Sequence, residues 1–167
     1  MSQLEELEAI KRLKYKYIRC IDSKLWKELR EVFSEDADAA YNKGQYTANG
    51  IDEVMEFLVG ALTRTDVASM HNVHCPEIDL TSETTAKGTW YLHDYVVNPG
   101  EDNGAMPGHS ILQGAGFYSD EYVKVDGEWK IKHTGYERTF ELYRPYEEGP
   151  GVELRTRWDK NQGGSSS

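Results

Sequence analysis

Several features that would assign this chain to other classes of protein are missing from its 167 residues. The two cysteines, Cys20 and Cys75, are too few and too far apart for a zinc motif, and without an export signal we expect them to be reduced thiols. The apolar runs are far too short to span a bilayer, and the N-terminus lacks the basic and apolar segments of a signal peptide. The sequence therefore predicts a cytoplasmic protein without a membrane segment or a metal site.

Positive charge is also scarce, since 19 lysine and arginine residues are outnumbered by 29 aspartate and glutamate residues, which leaves a formal net charge of −10. Without a basic patch, this balance argues against binding to nucleic acid or to an anionic membrane surface. The length suits a single domain with a sizeable core. Eleven tyrosines and four tryptophans are well suited to line a pocket for a small apolar molecule, because they combine apolar surface with polar groups.

Apolar residues at spacings of three and four predict a first helix over about residues 4–21. Tyr17 lies on the apolar stripe of this helix, so its side chain is predicted to belong either to a functional site or to the hydrophobic core. Asp22 and Ser23 interrupt the pattern before a second helix over residues 25–33, and either residue is a candidate for its N-cap. If Ser23 caps that helix, Asp22 is free for another role.

The following residues are predicted to form a polar connection (34–40), a short hairpin (39–48) and a third helix (50–62). The remainder of the domain is predicted to be β structure. The expected strands cover about residues 69–80, 86–97, 111–125 and 128–141.

Two segments are predicted to lie outside the regular elements. The loop over residues 98–108 is long and rich in glycine, which is typical of a mobile lid. Proline, glycine and charge dominate residues 143–167, and we expect an extended, partly disordered tail there. The folded domain is therefore predicted to cover residues 1–142.

The histidine at position 71 is the first candidate functional residue. Side chains alternate between the faces of a strand, so His71 and Val73 share one face while His74 points the opposite way. The two histidines are therefore not expected to share a metal ion. We expect His71 to face inward, although a bulge near Pro76 would change which later residues share its face. The alternative is a hydrogen-bonded core histidine.

Two charged residues occur among apolar ones on the later strands. Asp94 shares a strand face with Trp90 and Leu92, where a carboxylate is costly unless it is paired or protonated. Arg138 alternates with aromatic residues on the last strand. It is predicted to bind an anion, to pair with a buried acid or to lie solvated at a sheet edge.

Helices followed by a run of long strands predict an α+β domain. The simplest way to bury both is a cone-shaped α+β barrel, in which a curved antiparallel sheet wraps around the N-terminal helices. Tyr17, Asp22, His71 and Asp94 are expected to converge at its open mouth. An imidazole, carboxylates and tyrosine hydroxyls together are suited to proton transfer.

Four segments carry a resemblance to a known family: residues 17–22 (Tyr-Ile-Arg-Cys-Ile-Asp), 69–71 (Ser-Met-His), 88–94 (Gly-Thr-Trp-Tyr-Leu-His-Asp) and 125–129 (Val-Asp-Gly-Glu-Trp). Together they resemble the SnoaL-like branch of the nuclear-transport-factor-2-like superfamily. The chain is most similar to the bile acid 7α-dehydratases of this branch, and more distantly to scytalone dehydratase and hexachlorocyclohexane dehydrochlorinase. The resemblance covers about residues 4–140.

The resemblance implies specific roles for the candidate residues. His71 matches the catalytic histidine, and Asp22 matches the aspartate that orients it. The remaining polar pocket positions match Tyr17, Tyr41, Asp94 and Arg138. It also implies a reaction that needs no metal or organic cofactor, and a homo-oligomer, either a trimer or a dimer.

These observations predict a dehydratase that eliminates water from a steroid-like or polyketide-like cyclic β-hydroxy carbonyl compound. Neutral His71 removes the proton, while Asp22 holds the ring in the correct tautomer. Tyr17, with Tyr41, donates a hydrogen bond to the developing enolate oxygen. Asp94, if its apolar surroundings keep it protonated, helps the hydroxyl group to depart.

The substrate itself is predicted to contact a further set of residues: Tyr41, Trp90, Leu92, Phe117 and Arg138. Two other functions use the same pocket. A non-catalytic binder of a small apolar ligand depends on Trp90, Leu92 and Phe117 more than on His71. An isomerase or aldol-type cyclase shares the proton abstraction but does not lose water.

Overall fold

The computed structural model describes residues 2–159, which form three helices and six strands. The helices are α1 (Gln3–Asp22), α2 (Trp26–Arg30) and α3 (Ile51–Leu62). The strands are β1 (Phe33–Tyr41), β2 (Tyr46–Asn49), β3 (Ala68–Leu80), β4 (Thr85–Asn98), β5 (Ser110–Val125) and β6 (Glu128–Pro145). Helices α1 and α3 and the four long strands therefore lie where the sequence predicted them.

Helix α1 begins with a capping box, in which Ser2 and Glu5 bond to each other's backbone N–H groups. Its buried face carries Ile10 and Tyr17, as the periodicity predicted, and also the charged Lys14. The helix ends at Asp22, because Lys24 adopts a left-handed backbone conformation with φ of 55°. The chain therefore turns sharply just after Asp22.

The region after α1 differs from its prediction. Helix α2 has only five residues, its N-cap is Leu25, and neither Asp22 nor Ser23 caps it. The predicted polar connection over 34–40 was wrong, since these residues belong to strand β1. Alternate residues such as Ala37 and Ala39 face the core, while acidic side chains cover much of the opposite face. Those charges masked the alternation that marks a strand.

The six strands form one sheet in the order β2-β1-β6-β5-β4-β3. All neighbouring pairs are antiparallel except β1 and β6, which are parallel, so the sheet is mixed. Register shifts place extra residues in β1, β3 and β6, and such bulges bend strands. The predicted α+β architecture, a curved sheet around the N-terminal helices, is confirmed.

The main core lies between α1 and the inner face of the sheet. Its completely buried large members include Ile10, Leu29, Trp90, Tyr122 and Ile131. A second, smaller cluster lies near the 99–109 loop and contains Val67, Val96, Met106 and Leu112. The gap between these two clusters holds the candidate site described below.

The last strand is longer than predicted, because β6 continues to Pro145 and Tyr143 pairs with Leu112 of β5. The backbone N–H of Tyr146 donates to His109 O, which ties the next residue to the end of the sheet. The boundary predicted at residue 142 therefore falls inside a strand. The disorder predicted for the end of the tail concerns residues 160–167, which lie outside the described residues.

Among residues 2–159, no helix is long and apolar enough to cross a membrane.

The parallel contact between β1 and β6 depends on a glycine. Gly135 pairs with Ala40, and a Cβ atom at position 135 would lie 2.4 Å from Ala40 O. We expect Gly135→Ala to lower the free energy of unfolding by about 1–3 kcal/mol, because the two backbones must separate. Urea denaturation measures this change. Gly60→Ala is the control: Gly60 is exposed on α3 with nothing within 4 Å, so the change should be neutral or stabilise by about 1 kcal/mol or less. Equal midpoints for Gly135→Ala and the unmodified protein would contradict the close packing.

Candidate active site

A cavity of about 90 Å³ lies between the inner face of the sheet, α1, α3 and the 99–109 loop. Its polar wall consists of Tyr17, Tyr41, His71, Asp94, Tyr118, Tyr136 and Arg138. Apolar side chains of α3 and of the loop form the opposite side. A larger groove of about 760 Å³ follows the outer side of α1, but none of the predicted site residues lines it. The smaller cavity is therefore the candidate site.

Asp22, at the end of α1, is bonded to two residues of β3. It accepts hydrogen bonds from Ser69 Oγ (2.8 Å), from the backbone N–H of His71 (2.8 Å) and from His71 Nδ1 (2.7 Å). The side chains of His71 and Asp22 are 13% and 23% exposed. The structure thus brings the predicted pair together, with His71 facing inward.

The contact with Asp22 also determines the tautomer of His71. Because Nδ1 lies against a carboxylate oxygen, Nδ1 carries the proton and Nε2 is left with a lone pair. Within residues 2–159 no hydrogen bond is made to Nε2, so this nitrogen is available to a ligand. Burial alone lowers the pKa of His71, but the hydrogen bond and charge of Asp22, helped by the charge of Asp94, outweigh it and raise the pKa above its usual value.

A bulge in β3 explains how His71 and later apolar residues share one face. The pairing with β4 shifts between His74 and Glu77, and Cys75 has a φ of 49°. After this shift Ile78 faces the core, as His71 does. The bulge predicted near Pro76 is confirmed, and it removes the conflict of register in the sequence pattern.

Asp94 and Arg138 form a buried ion pair in the cavity wall. Both carboxylate oxygens accept from the guanidinium, at 2.8 Å for Nη1 and 2.6 Å for Nη2, and the side chains are 2% and 7% exposed. Arg138 Nε also lies 3.1 Å from Glu141. Burial opposes the charge, but these acidic neighbours and Tyr136 hold the pKa of Arg138 above its usual value. This geometry holds Asp94 as a carboxylate, not as the protonated acid considered above.

The ion pair joins Asp94 of β4 to Arg138 of β6, and it passes over the intervening strand β5 at a glycine. Asp94 lies opposite Gly114 in the sheet, and a Cβ atom at position 114 would lie 2.2 Å from Arg138 Nη1 and 3.0 Å from Asp94 Oδ1. A side chain at this position would displace the pair. Gly114 is thus a site residue that the sequence did not reveal, because it contributes only the space above its backbone.

A group of tyrosines completes the polar wall. The hydroxyls of Tyr17 and Tyr41 lie 3.1 Å apart, and Tyr118 and Tyr136 pack edge to face beside them. Burial raises the pKa of Tyr17, Tyr41 and Tyr118 well above the usual value, so these groups are neutral donors at ordinary pH. Tyr118 and Tyr136 were not predicted, although Tyr118 alternates along β5 with other inward residues.

Three predicted substrate contacts do not reach the cavity. Trp90 and Leu92 share a face of β4 with Asp94 but lie completely buried in the main core, and Trp90 Nε1 donates to Tyr122 OH at 2.8 Å. Phe117 is 42% exposed and packs on Tyr91 at the outer face of the sheet. The predicted face of β4 is correct for Trp90 and Leu92, but both residues lie under helix α1 in the main core and so do not reach the cavity.

The 99–109 loop covers the cavity with Asn103, Ala105 and Met106. The Asn103 amide donates to Ala61 O of α3 at 2.8 Å, and Arg64 Nη1 donates to Glu101 O at 3.2 Å. The loop predicted as a lid therefore lies over the site and is bonded to α3 and to the residues just after it. Its movement remains a prediction.

Proton transfer is the chemistry to which this arrangement is best suited. It combines an oriented imidazole with a free Nε2, a carboxylate that stabilises the imidazolium, and neutral hydroxyl donors in a closed cavity. In the part of the chain that is described, no three His, Cys, Asp or Glu side chains are grouped as ligands for a metal ion.

The family model of the SnoaL-like domain matches residues 2–135, so the chain belongs to the SnoaL-like family. The predicted family is thereby confirmed.

Solved structures of similar proteins agree with this assignment. A provisionally named scytalone dehydratase from Novosphingobium aromaticivorans is 27% identical, with a TM-score of 0.72 over 92% of this chain and 91% of that one. A type 2 hexachlorocyclohexane dehydrochlorinase is 17% identical, with a TM-score of 0.72 over 90% and 97% of the two chains. The type 3 enzyme from Novosphingobium barchaimii is 15% identical, with a TM-score of 0.70 over 89% and 97%. The last two matches bear on the fold alone.

The raised pKa of His71 can be measured without a substrate. By NMR we expect its ring to titrate above the ordinary value of about 6.5 in the unmodified protein, and below it in Asp22→Asn. The sign follows because the substituted amide would keep the burial that disfavours the imidazolium but lose the charge that favours it. His74 lies on the opposite face of β3, away from Asp22, so its ring signals are the internal control for changes elsewhere in the protein. An unchanged midpoint for His71 would contradict the coupling.

Proposed function

We propose that this protein is a cofactor-independent lyase that eliminates water from a cyclic β-hydroxy carbonyl compound, using His71 and Asp22 as its catalytic pair. The observation that carries the proposal is the 2.7 Å contact between His71 Nδ1 and Asp22 within a closed, tyrosine-lined cavity. The 27% identical relative is provisionally named a scytalone dehydratase, and this name denotes an elimination of water, which supports the reaction class.

In the first step, His71 Nε2 removes the proton next to the carbonyl group, and the electron pair of the C–H bond forms the enolate. Asp22 stabilises the imidazolium, in keeping with the raised pKa of His71. Tyr17 and Tyr41 supply the hydrogen bond to the enolate oxygen. Since one of these hydroxyls donates to the other, the second keeps its own proton free for the substrate.

In the second step, the C–O bond breaks as the enolate collapses to the conjugated carbonyl. The ionised Asp94 is not suited to protonate the departing hydroxyl, so the imidazolium of His71 returns its proton and water leaves. Asp94 instead holds Arg138. A guanidinium has five N–H donors, of which Arg138 donates two to Asp94, while its Nε lies 3.1 Å from Glu141. The remaining N–H groups are available to a substrate oxygen.

The charges of the site favour a neutral substrate. Asp22, Asp94 and Glu141 lie at or next to the cavity wall, and Arg138 is already neutralised by two of them. A substrate carboxylate would therefore meet an acidic surface. The choice between a steroid-like and a polyketide-like ring rests on the sequence resemblance to bile acid 7α-dehydratases and on the named relatives.

Admission of such a ring requires movement of the loop. Ligand pockets usually measure about 300–1,000 Å³, whereas the cavity measures about 90 Å³. We therefore propose that the 99–109 loop opens by releasing Asn103 from Ala61 O, and closes again over the bound substrate.

An isomerase or aldol-type cyclase shares the first step with the lyase, and the two are separated by the mass of the product, since only dehydration loses water. The binding-protein alternative predicted that affinity depends on Trp90, Leu92 and Phe117. These residues lie outside the cavity, so that alternative has no specific support.

The central test is the loss of activity in His71→Ala. We expect turnover of a responsive β-hydroxy ketone to fall by about 10²–10⁴-fold, because a positioned general base is removed. Steroid and polyketide-like hydroxy ketones are incubated with the protein, and mass spectrometry detects the loss of water. His74→Ala is the matched control, because His74 packs on Tyr91 at the outer face and should leave turnover nearly unchanged. Similar rates in the two variants would reject the assignment.

We also propose that the chain forms a cytoplasmic homodimer or homotrimer through its outer sheet surface, defined as Met70, Phe117, Phe140 and Leu142. These four side chains are 42–50% exposed on one face of neighbouring strands. Light scattering should give two or three times the 19.1 kDa of the chain, and the double change Phe140→Ser, Leu142→Ser should give the monomer mass. A monomeric unmodified protein would contradict this proposal.

A further inference from the structure

A completely buried ion pair lies next to the cavity but outside it. Lys14 Nζ of α1 lies 2.7 Å from Asp120 Oδ2 of β5, and both side chains are 0% exposed. Thr134 and Tyr122 donate hydroxyl hydrogen bonds to the same carboxylate, at 2.8 Å and 2.7 Å. Removing two charges from water is costly, so the pair requires a compensating role or strong partners.

The ammonium group of Lys14 lies on the faces of two tyrosine rings. Its Nζ atom is 3.5 Å from the ring centroid of Tyr118 and 4.7 Å from that of Tyr17. Within residues 2–159, Nζ meets no acceptor with good hydrogen-bond angles, so Asp120 and the two π faces balance its charge. Cation–π attraction is strongest in such a water-free position.

The two rings that contact Lys14 also form part of the cavity wall. The hydroxyl of Tyr17 lies 3.1 Å from that of Tyr41, the pair to which the enolate oxygen is assigned above. The rings of Tyr17 and Tyr118 pack edge to face at 6.3 Å, so a group that holds one ring also holds the other. Lys14 is therefore connected to the site through the tyrosines alone.

We propose that Lys14 is a positioning residue of this site, whose buried charge fixes the rings of Tyr17 and Tyr118 and strengthens their hydroxyls as hydrogen-bond donors. A positive charge on a ring face stabilises negative charge that develops on the phenol oxygen. The effect requires a charged ammonium group. Burial lowers the pKa of Lys14, and the charge and hydrogen bonding of Asp120 oppose this lowering and favour the ammonium form. This inference rests on the proposed function, because the tyrosine hydroxyls are assigned there to the enolate oxygen. The effect of Lys14 on the tyrosines is measured without a substrate.

A purely structural role and an electrostatic role predict different outcomes. Lys14→Met and Lys14→Arg both change the side chain that packs on the two rings, so structural damage acts on the tyrosines in both variants. An electrostatic role requires a shift in Lys14→Met alone, because Lys14→Arg keeps the positive charge next to Asp120. The other groups facing Tyr118 are Tyr17, Tyr41 and Tyr136, and these stay unchanged.

The experiment introduces 3,5-difluorotyrosine in place of Tyr118 and follows its ionisation by ¹⁹F NMR. We expect Lys14→Met to raise the titration midpoint by about 1–2 pH units. Lys14→Arg keeps the charge and should leave the midpoint close to that of the unmodified protein. Lys16→Met is the matched control on α1, because Lys16 pairs with Glu31 at the surface and should have no effect.

An unchanged midpoint in Lys14→Met, or an equal shift in Lys14→Arg, would overturn the proposal. If Lys14→Met does not fold, Lys14→Gln takes its place, because an amide removes the charge but can still donate a hydrogen bond to Asp120. In the dehydration assay, Lys14→Met should lower kcat by about tenfold with little change in KM, because the weakened donors act on the enolate. A shift that is absent in Lys14→Arg, found in an inactive protein, would reject the lyase and keep the coupling, whereas an active enzyme with an insensitive residue 118 would reject Lys14 alone.

Discussion

The contact between Asp22 and strand β3 is the interaction on which both the closure of the cone and its chemistry depend. One carboxylate at the end of α1 accepts bonds from Ser69 and from the backbone and ring of His71. The same bonds that dock the helix on the sheet therefore orient the imidazole. The left-handed turn at Lys24 makes this possible, because it ends α1 where Asp22 faces β3.

Two further ion pairs occupy the inner face of the sheet, and both restrict its register. Asp94 reaches Arg138 only across Gly114, and Lys14 reaches Asp120 only when α1 lies directly over β5. A shift of one residue in either strand would turn a carboxylate to the opposite face and leave its partner buried alone. These pairs consequently specify one arrangement of helix and strands, whatever their net contribution to stability.

Membership of the SnoaL-like family defines the fold but not the reaction, because one fold hosts many functions. The particular character of this site comes from its own side chains. Under the proposed function, the neutralised Arg138 and the tyrosine wall favour an uncharged ligand, and the bonded 99–109 loop limits the space to about 90 Å³. The proposed opening of that loop would therefore govern substrate choice as much as His71 and Asp22 do.

Periodicity predicted the long helices and the four long strands, because these follow from local spacing, but the inward face of β3 changes phase at the bulge near Pro76. Periodicity failed at β1, where acidic side chains masked the alternation. The tertiary structure decided how deep a residue lies: Trp90 and Asp94 share a face, but α1 crosses the sheet over Trp90, where Tyr15 packs on it, and not over Asp94. Pairing of charges between different elements likewise appeared only in three dimensions, since residues such as Lys14 of α1 and Asp120 of β5 are distant in sequence and meet only after packing.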